Sequence, residues 1–298
     1  MSESSKPVII EQRESSSSKN EGKSSYIKDS ASRIRSIAQH YGLDALLLEE
    51  KPEKNPLERS IARQRKRNEQ RQKNLEQIVK LSHVYCSNET AGDPEQDWLY
   101  RFFDMAQEVH NSSMQKLWAQ VLKREVTNPG STSMKALKVL QDMTPKEAQI
   151  LQRAASLACS FGGDNSLRLL VGFRAQGGMF SFGKRNIIGN INLGSFKLPY
   201  SSLLILFELG LMHGTELESG EISMENPLPL NYQGKNITLQ PFSKGARLIY
   251  YRFSPMGNEL CKLLGNKPNL QYYDQMIAVL SQKFSATSEE QKNIDEFA

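Results

Sequence analysis

Cysteine is scarce in this chain: three residues, Cys86, Cys159 and Cys261, among 298. Their odd number and wide spacing exclude a disulfide framework and a Cys-x-x-Cys zinc site. Each is expected to be a small buried hydrophobe in a reducing cytoplasm. Histidine is nearly as rare. His40, His83, His110 and His213 stand apart, without an HExxH helix or paired ligand spacing, so no metal and no cofactor is expected. His110 reads as a helix-end residue, placed to favour the negative end of the dipole. Long apolar runs are missing as well. The longest, Leu203–Met212, is interrupted by Glu208 and falls far short of the roughly 20 residues that span a bilayer. Met1–Ser30 is polar and has no apolar segment of the kind a secretory signal needs. Nothing marks a nucleophile elbow or a Ser-His-Asp set. The balance points to a soluble cytoplasmic protein and leans away from an enzyme.

Residues 1–30 are rich in serine and charge and read as a disordered arm, because such a composition cannot bury enough apolar surface to order itself. A short helix is predicted from Ala31 to His40, with Ile34, Ile37 and Ala38 inward and Gly42 as its C-cap. Pro52 and Pro56 bracket a linker, and Leu57–Ser82 reads as one long helix. Its C-terminal part places Leu75, Ile78, Val79 and Ser82 on one face. Two amphipathic helices follow and carry both tryptophans. Trp98, Phe102, Ala106 and Val109 share one face of the first. Met114, Leu117, Trp118, Val121 and Leu122 share one face of the second, so the pair reads as the centre of a core. A turn at Asn128–Gly130 precedes a short helix from Ser133 to Leu140. Thr144-Pro145-Lys146-Glu147 then has the form of a capping box with proline at the first helical position. The helix it starts is expected to bury Ala148, Leu151, Ala155 and Ala158.

After Gly162–Gly163 the pattern changes to short apolar or alternating runs, Leu167–Phe173, Met179–Phe182 and Ile187–Leu193, which read as strands. Pro199–Met212 looks helical. Asn236–Leu239 and Arg247–Phe253 read as a two-stranded ribbon with its tip at Phe242–Gly245, followed by a helix at Met256–Leu264 capped by Ser254. That order resembles the back half of a winged-helix domain. A last amphipathic segment covers Leu270–Phe284. The fold class expected is therefore mainly α with a smaller α+β part, a helical bundle followed by a winged-helix-like domain. The domains are read as a helical domain at 31–160, an α+β domain at 161–265, and a C-terminal helix with a frayed tail at 266–298.

The strongest candidate for function is the basic helix. Leu57–Ser82 holds eight Lys or Arg against three Glu, a net of +5, and the whole chain is also +5. The positive charge is thus local, which is what phosphate binding requires. Between Arg63 and Lys73 there is no apolar residue, so this stretch must face solvent or a partner. It also lacks an aromatic residue, which argues against a stacking platform for single strands. The candidate binding set is Arg63, Arg65, Lys66, Arg67, Arg71 and Lys73, with Lys244 and Arg247 on the expected ribbon. Nucleic acid or an acidic protein surface is the partner class. Self-association through the same helix is the rival within binding functions. The rival from another class is an enzyme with a site near Asp97, Arg101 and Asp104, residues that also read as a surface ion-pair ladder. Gly178–Arg185 has phosphate-loop spacing up to its last position, where Arg185 replaces the Ser or Thr that would bind magnesium. It reads as a hairpin.

Four segments taken in order, Gln70–Ile78, Asp97–Asp104, Met114–Leu122 and Pro129–Ser131, resemble an uncharacterised bacterial protein family, a conserved domain of unknown function. The resemblance covers Leu57–Leu157 and extends more loosely to Leu206–Met212 and Ser254–Leu260. It carries no activity or catalytic residues. It implies that the segment ending at Asn74 belongs to one unit with the tryptophan helices.

Overall fold

Short capping side chains start most of the described helices. In this computed structural model, which describes residues 29–48, 54–87, 89–176, 187–264 and 267–288, the chain divides into two units, Met1–Arg67 and Asn68–Ala298. The serine-rich arm, Gly178–Arg185 and the last ten residues lie outside the described residues.

In the first unit, α1 (Ser30–Tyr41) begins at Asp29, whose Oδ1 accepts from the Ser32 amide at 2.9 Å. It ends at Gly42, which adopts φ 65° as the predicted C-cap. Helix α2 (Pro56–Tyr85) starts with a reciprocal pair, the Glu58 amide donating to Asn55 Oδ1 at 2.9 Å and the Asn55 amide to Glu58 Oε2 at 3.1 Å. No described residue of this unit is buried, so the inward face expected for Ile34 and Ile37 does not form; both are exposed. The described residues of this unit offer those side chains no second layer to pack against.

The second unit starts inside α2, which docks through Asn74, Ile78 and Ser82, one residue per turn. Ile78 enters the core, while Val79, expected beside it, is exposed. The Asn74 amide group donates to the Gln107 carbonyl at 2.8 Å, and Ser82 Oγ donates to the Ala119 carbonyl at 3.1 Å. The tryptophan helices are α3 (Gln96–Ala106) and α4 (Ser112–Thr127). Trp98, Phe102 and Trp118 form one aromatic run, with neighbouring ring centres 5.1 and 5.3 Å apart. Both tryptophans are buried, and the Trp98 indole donates to the Thr132 carbonyl at 2.8 Å. His110 lies four residues past the end of α3, with Nδ1 2.8 Å from the Glu108 carbonyl, so it is a loop residue and not a helix-end one.

Next come α5 (Met134–Asp142) and α6 (Pro145–Leu157), whose capping box is complete: Thr144 Oγ1 accepts from the Glu147 amide, and the Glu147 carboxylate accepts from the Thr144 amide. Ala148 is only half-buried on α6, whose buried face is Ile150, Leu151, Ala154, Ala155 and Leu157. Helix α6 runs directly into β1 (Ala158–Phe161). The boundary read near residue 160 therefore falls within the second unit, which mixes helices and sheet.

Among the described residues the sheet has eight strands, all paired antiparallel: β1, β2 (Arg168–Ala175), β3 (Ile187–Asn190), β4 (Leu217–Glu218), β5 (Leu228–Tyr232), β6 (Lys235–Pro241), β7 (Arg247–Arg252) and β8 (Phe284–Ser288). The spatial order is β4-β7-β2-β1-β5-β6-β8, with β3 also on β2. The expected ribbon is not there. β6 pairs with β5 and β8, and β7 pairs with β2 and β4, so the two strands read as a wing lie apart in the sheet. Three further α-helices are present among the described residues: α7 (Tyr200–Glu208), α8 (Pro255–Leu263) and α9 (Leu270–Leu280). α8 packs on α4, α5 and α6, and α9 lies along β2, β3 and β8. Two of the three cysteines, Cys159 and Cys261, are buried as expected, but Cys86 is exposed just beyond α2.

Candidate functional site

The basic residues singled out from sequence fall into three settings. Arg63, Arg65, Lys66 and Arg67 lie in the first unit, all exposed. Lys66 Nζ donates to the His40 carbonyl at 2.8 Å, a contact with a neutral group. Among the described residues, Arg33, Arg35, Arg59, Arg63 and Lys66 have no carboxylate within ion-pairing range. In the second unit Arg71 is half-buried and paired with Glu108, so it is part of the helix packing, while Lys73 is exposed. Lys244 is exposed in the turn before β7, and Arg247 shares Glu218 with Arg174, at 3.3 and 2.5 Å respectively.

Asp97, Arg101 and Asp104 all lie on the exposed face of α3. They form no ion pair with one another, so the expected ladder is absent, and Asp104 Oδ1 instead accepts from the Gln107 side chain at 2.9 Å. An exposed helix face neither desolvates a carboxylate nor holds a substrate, and both are what acid–base catalysis asks of a site.

Two clefts lie elsewhere, in the second unit. One cleft of about 400 Å³ is bounded by Tyr85 at the end of α2, by Gln120, Lys123, Arg124 and Thr127 of α4, and by Lys262 of α8. A second, of about 500 Å³, is bounded by Asn165 and Ser166, by His213, by Arg252 and Phe253, and again by α8 through Asn258 and Lys262. Lys262 lines both. Each volume is within the roughly 300–1,000 Å³ typical of ligand sites.

Charge in these clefts is held with care. Lys123 Nζ pairs with Glu89 at 2.8 Å, and that bond holds the Glu89 carboxyl below the usual range. Arg252 reaches Asp164 at 3.4 Å and Ser166 Oγ at 3.2 Å. Burial pushes the Arg124 guanidinium downward, while the nearby Glu259 and Glu125 favour its charged form. Its Nε–H is buried and meets no acceptor among the described residues. Arg124 is therefore half desolvated, with a donor left over. Sequence reasoning missed this set. Its members come from α2, α4, α8, the β1–β2 turn and the end of β7, and the local hint is Lys123-Arg124 at the end of a helix whose opposite face is apolar.

Among the described residues, no group of three or more His, Cys, Asp or Glu is arranged to hold a metal ion, and no helix is long and apolar enough to cross a membrane. Residues 58–277 match a protein family described as a protein of unknown function, DUF2806, and the chain belongs to that family. The match begins in the first turn of α2 and runs through most of α9, so it takes in the tryptophan helices, the sheet and both clefts. No curated protein and no solved structure matches the chain.

Proposed function

We propose that the protein is a non-enzymatic binding protein whose first unit recognises a polyanion, nucleic acid first, through the basic part of α2. The observation that carries this reading is a helical segment with no buried residue and a set of exposed cations, Arg33, Arg35, Arg59, Arg63 and Lys66, that no described carboxylate neutralises. Such a surface releases counter-ions when it meets phosphates, which makes binding favourable and salt-dependent. Partner, compartment and the absence of catalysis are all part of the proposal. The wing expected from Lys244 and Arg247 has no place in it, since the ribbon is not formed and Arg247 is paired.

The test is binding of labelled duplex DNA and RNA to the full chain over a series of salt concentrations. About four phosphate contacts predict a slope near −4 in log K against log salt. The double variant Arg63→Glu, Lys66→Glu should lose most of the affinity, because neither side chain holds a carboxylate whose loss would unsettle the fold. Failure of the parent to bind, or equal binding by the variant, removes the reading. Self-association is the second reading, favoured by Ile34, Ile37, Leu57 and Ile61, all exposed in the same unit. Sedimentation of the full chain without nucleic acid distinguishes it, since a dimer dissociated by Ile34→Asp would put the apolar side chains in the contact.

A further inference from the structure

Lys262 lines both clefts of the second unit, and their linings carry more cations than carboxylates. Lys123, Arg124, Arg252 and Lys262 line them, whereas Glu89 is the one carboxylate on either lining and is already bonded to Lys123. Lys262 has no carboxylate within ion-pairing range among the described residues. Lys123 is bonded to Glu89, Arg252 reaches Asp164 and Arg124 has Glu259 and Glu125 nearby, so Lys262 supplies the unneutralised positive charge, which attracts anions to the concave wall. Arginine beside lysine suits phosphate in particular, the guanidinium giving directed donors and the ammonium a mobile point charge. Arg124 lines the first cleft, and its buried Nε–H has no acceptor among the described residues. Beside these cations lie the Tyr85 ring and the Leu263 side chain, flat or apolar surface against which an organic body can rest.

We propose that the first cleft binds an organic phosphate, its phosphoryl group held by Lys262 and Arg124 and its organic part resting on Tyr85. A free nucleotide and the 5′-phosphate at the end of a nucleic-acid strand present the same chemistry. The proposal stands apart from the polyanion reading of the first unit, since it uses none of the same residues.

The experiment is calorimetric titration of the full chain with adenosine 5′-monophosphate, inorganic phosphate and adenosine, and with short oligonucleotides bearing either a 5′-phosphate or a 5′-hydroxyl. The expected result is that the monophosphate binds, phosphate competes with it, and adenosine does not bind. Lys262→Ala should weaken binding about tenfold, the loss of one charge-assisted contact, and Lys262→Arg should retain it. Lys262 is exposed, so neither change threatens the fold. Oligonucleotide binding that needs both the 5′-phosphate and Lys262 assigns the strand end as the source; monophosphate binding alone assigns the free nucleotide. The double variant Arg63→Glu, Lys66→Glu should bind the monophosphate as the parent does, which separates failure here from failure of the first reading. The proposal is overturned if no phosphate-bearing probe binds, if adenosine binds as well as its phosphate, or if Lys262→Ala changes nothing.

Discussion

Glu125 is the charged side chain whose removal should cost the second unit most. It is buried on α4, and its carboxylate closes the turn that follows. Oε1 accepts from the Gly130 amide at 2.5 Å, and Oε2 accepts from the Thr132 amide at 3.1 Å and from Ser131 Oγ at 3.4 Å. On the other side of the same turn, the Trp98 indole donates to the Thr132 carbonyl. In Glu125→Ala the Gly130 amide can turn to water, because Gly130 is exposed, but the Thr132 amide is buried and cannot. An unmet buried amide costs about 1–3 kcal/mol. Arg124 also loses one of the two carboxylates that favour its charged form, though Glu259 remains. For a domain of this size Tm falls by roughly 2–4 °C per kcal/mol, hence about 2–12 °C from the unmet amide. Glu125→Gln keeps one acceptor and the side-chain volume, so about half the loss is expected. Urea unfolding followed by tryptophan fluorescence measures both, with the midpoint moving and the slope unchanged. If both variants unfold within about 0.5 kcal/mol of the parent, as an ordinary surface change would, the turn does not depend on the carboxylate.

Alkaline pH should destabilise the second unit by a route that reports on its core. Burial pushes Cys159 from 9.0 up to about 12 and Tyr232 from 10.0 up to about 12, and it raises Tyr272 as well. Groups whose folded pKa is raised lend stability that is complete below their unfolded values, so the unfolding free energy should be flat to about pH 9 and fall as pH climbs toward 12; a curve still flat at the top of that window would refute burial of these groups. Gly257→Ala should be far worse than a helix-favouring change ought to be. Its new Cβ would stand 1.9 Å from the Leu211 carbonyl oxygen, which also accepts from the Ser254 amide, so α8 must move as a body at a cost of about 1–3 kcal/mol or more. Thermal unfolding at or above the parent's Tm would show that the close approach is not real.

What the sequence made legible was local. The caps at Gly42, Thr144 and Ser254 were readable because a cap needs a handful of adjacent residues and no partner from elsewhere. The burial of Trp98 and Trp118 was readable from spacing for the same reason. Strand partners were not. β1 lies between β2 and β5, and β5 is some seventy residues further along the chain, a pairing no alternation pattern announces. The ribbon expected from Asn236–Leu239 and Arg247–Phe253 rested on nearness in sequence, and the long return of β7 to β2 defeated it. The inward stripe of α1 failed differently: Ile34 and Ile37 have helical spacing, but periodicity cannot say whether a second layer exists. The clefts were out of reach because Lys123, Arg252 and Lys262 share no motif, and Lys262 comes beside Lys123 through the packing of α8 on α4.

The register of α2 ties these levels together. Its docking face is Asn74, Ile78 and Ser82, a polar–apolar–polar series at one-turn spacing. The two polar ends are bonded to backbone carbonyls of Gln107 and Ala119, and the first of these lies just past the last turn of α3, where helix carbonyls lack partners. Slide the helix by four residues and Gln70, Asn74 and Ile78 would fill the three positions, putting an amide where the core expects Ile78 and an apolar chain where Ala119 expects a hydroxyl. Slide it by three and Arg71 would enter the place of Asn74, a buried charge with no partner there. Either shift costs several kcal/mol, an unmet polar group in the first case and an unpaired ion in the second. Purely apolar contacts would tolerate a slip far better, since Leu75 and Val79 repeat the same spacing. The buried Asn74 and Ser82, which add little to stability on their own, are thus what hold α2 in one register against the tryptophan helices.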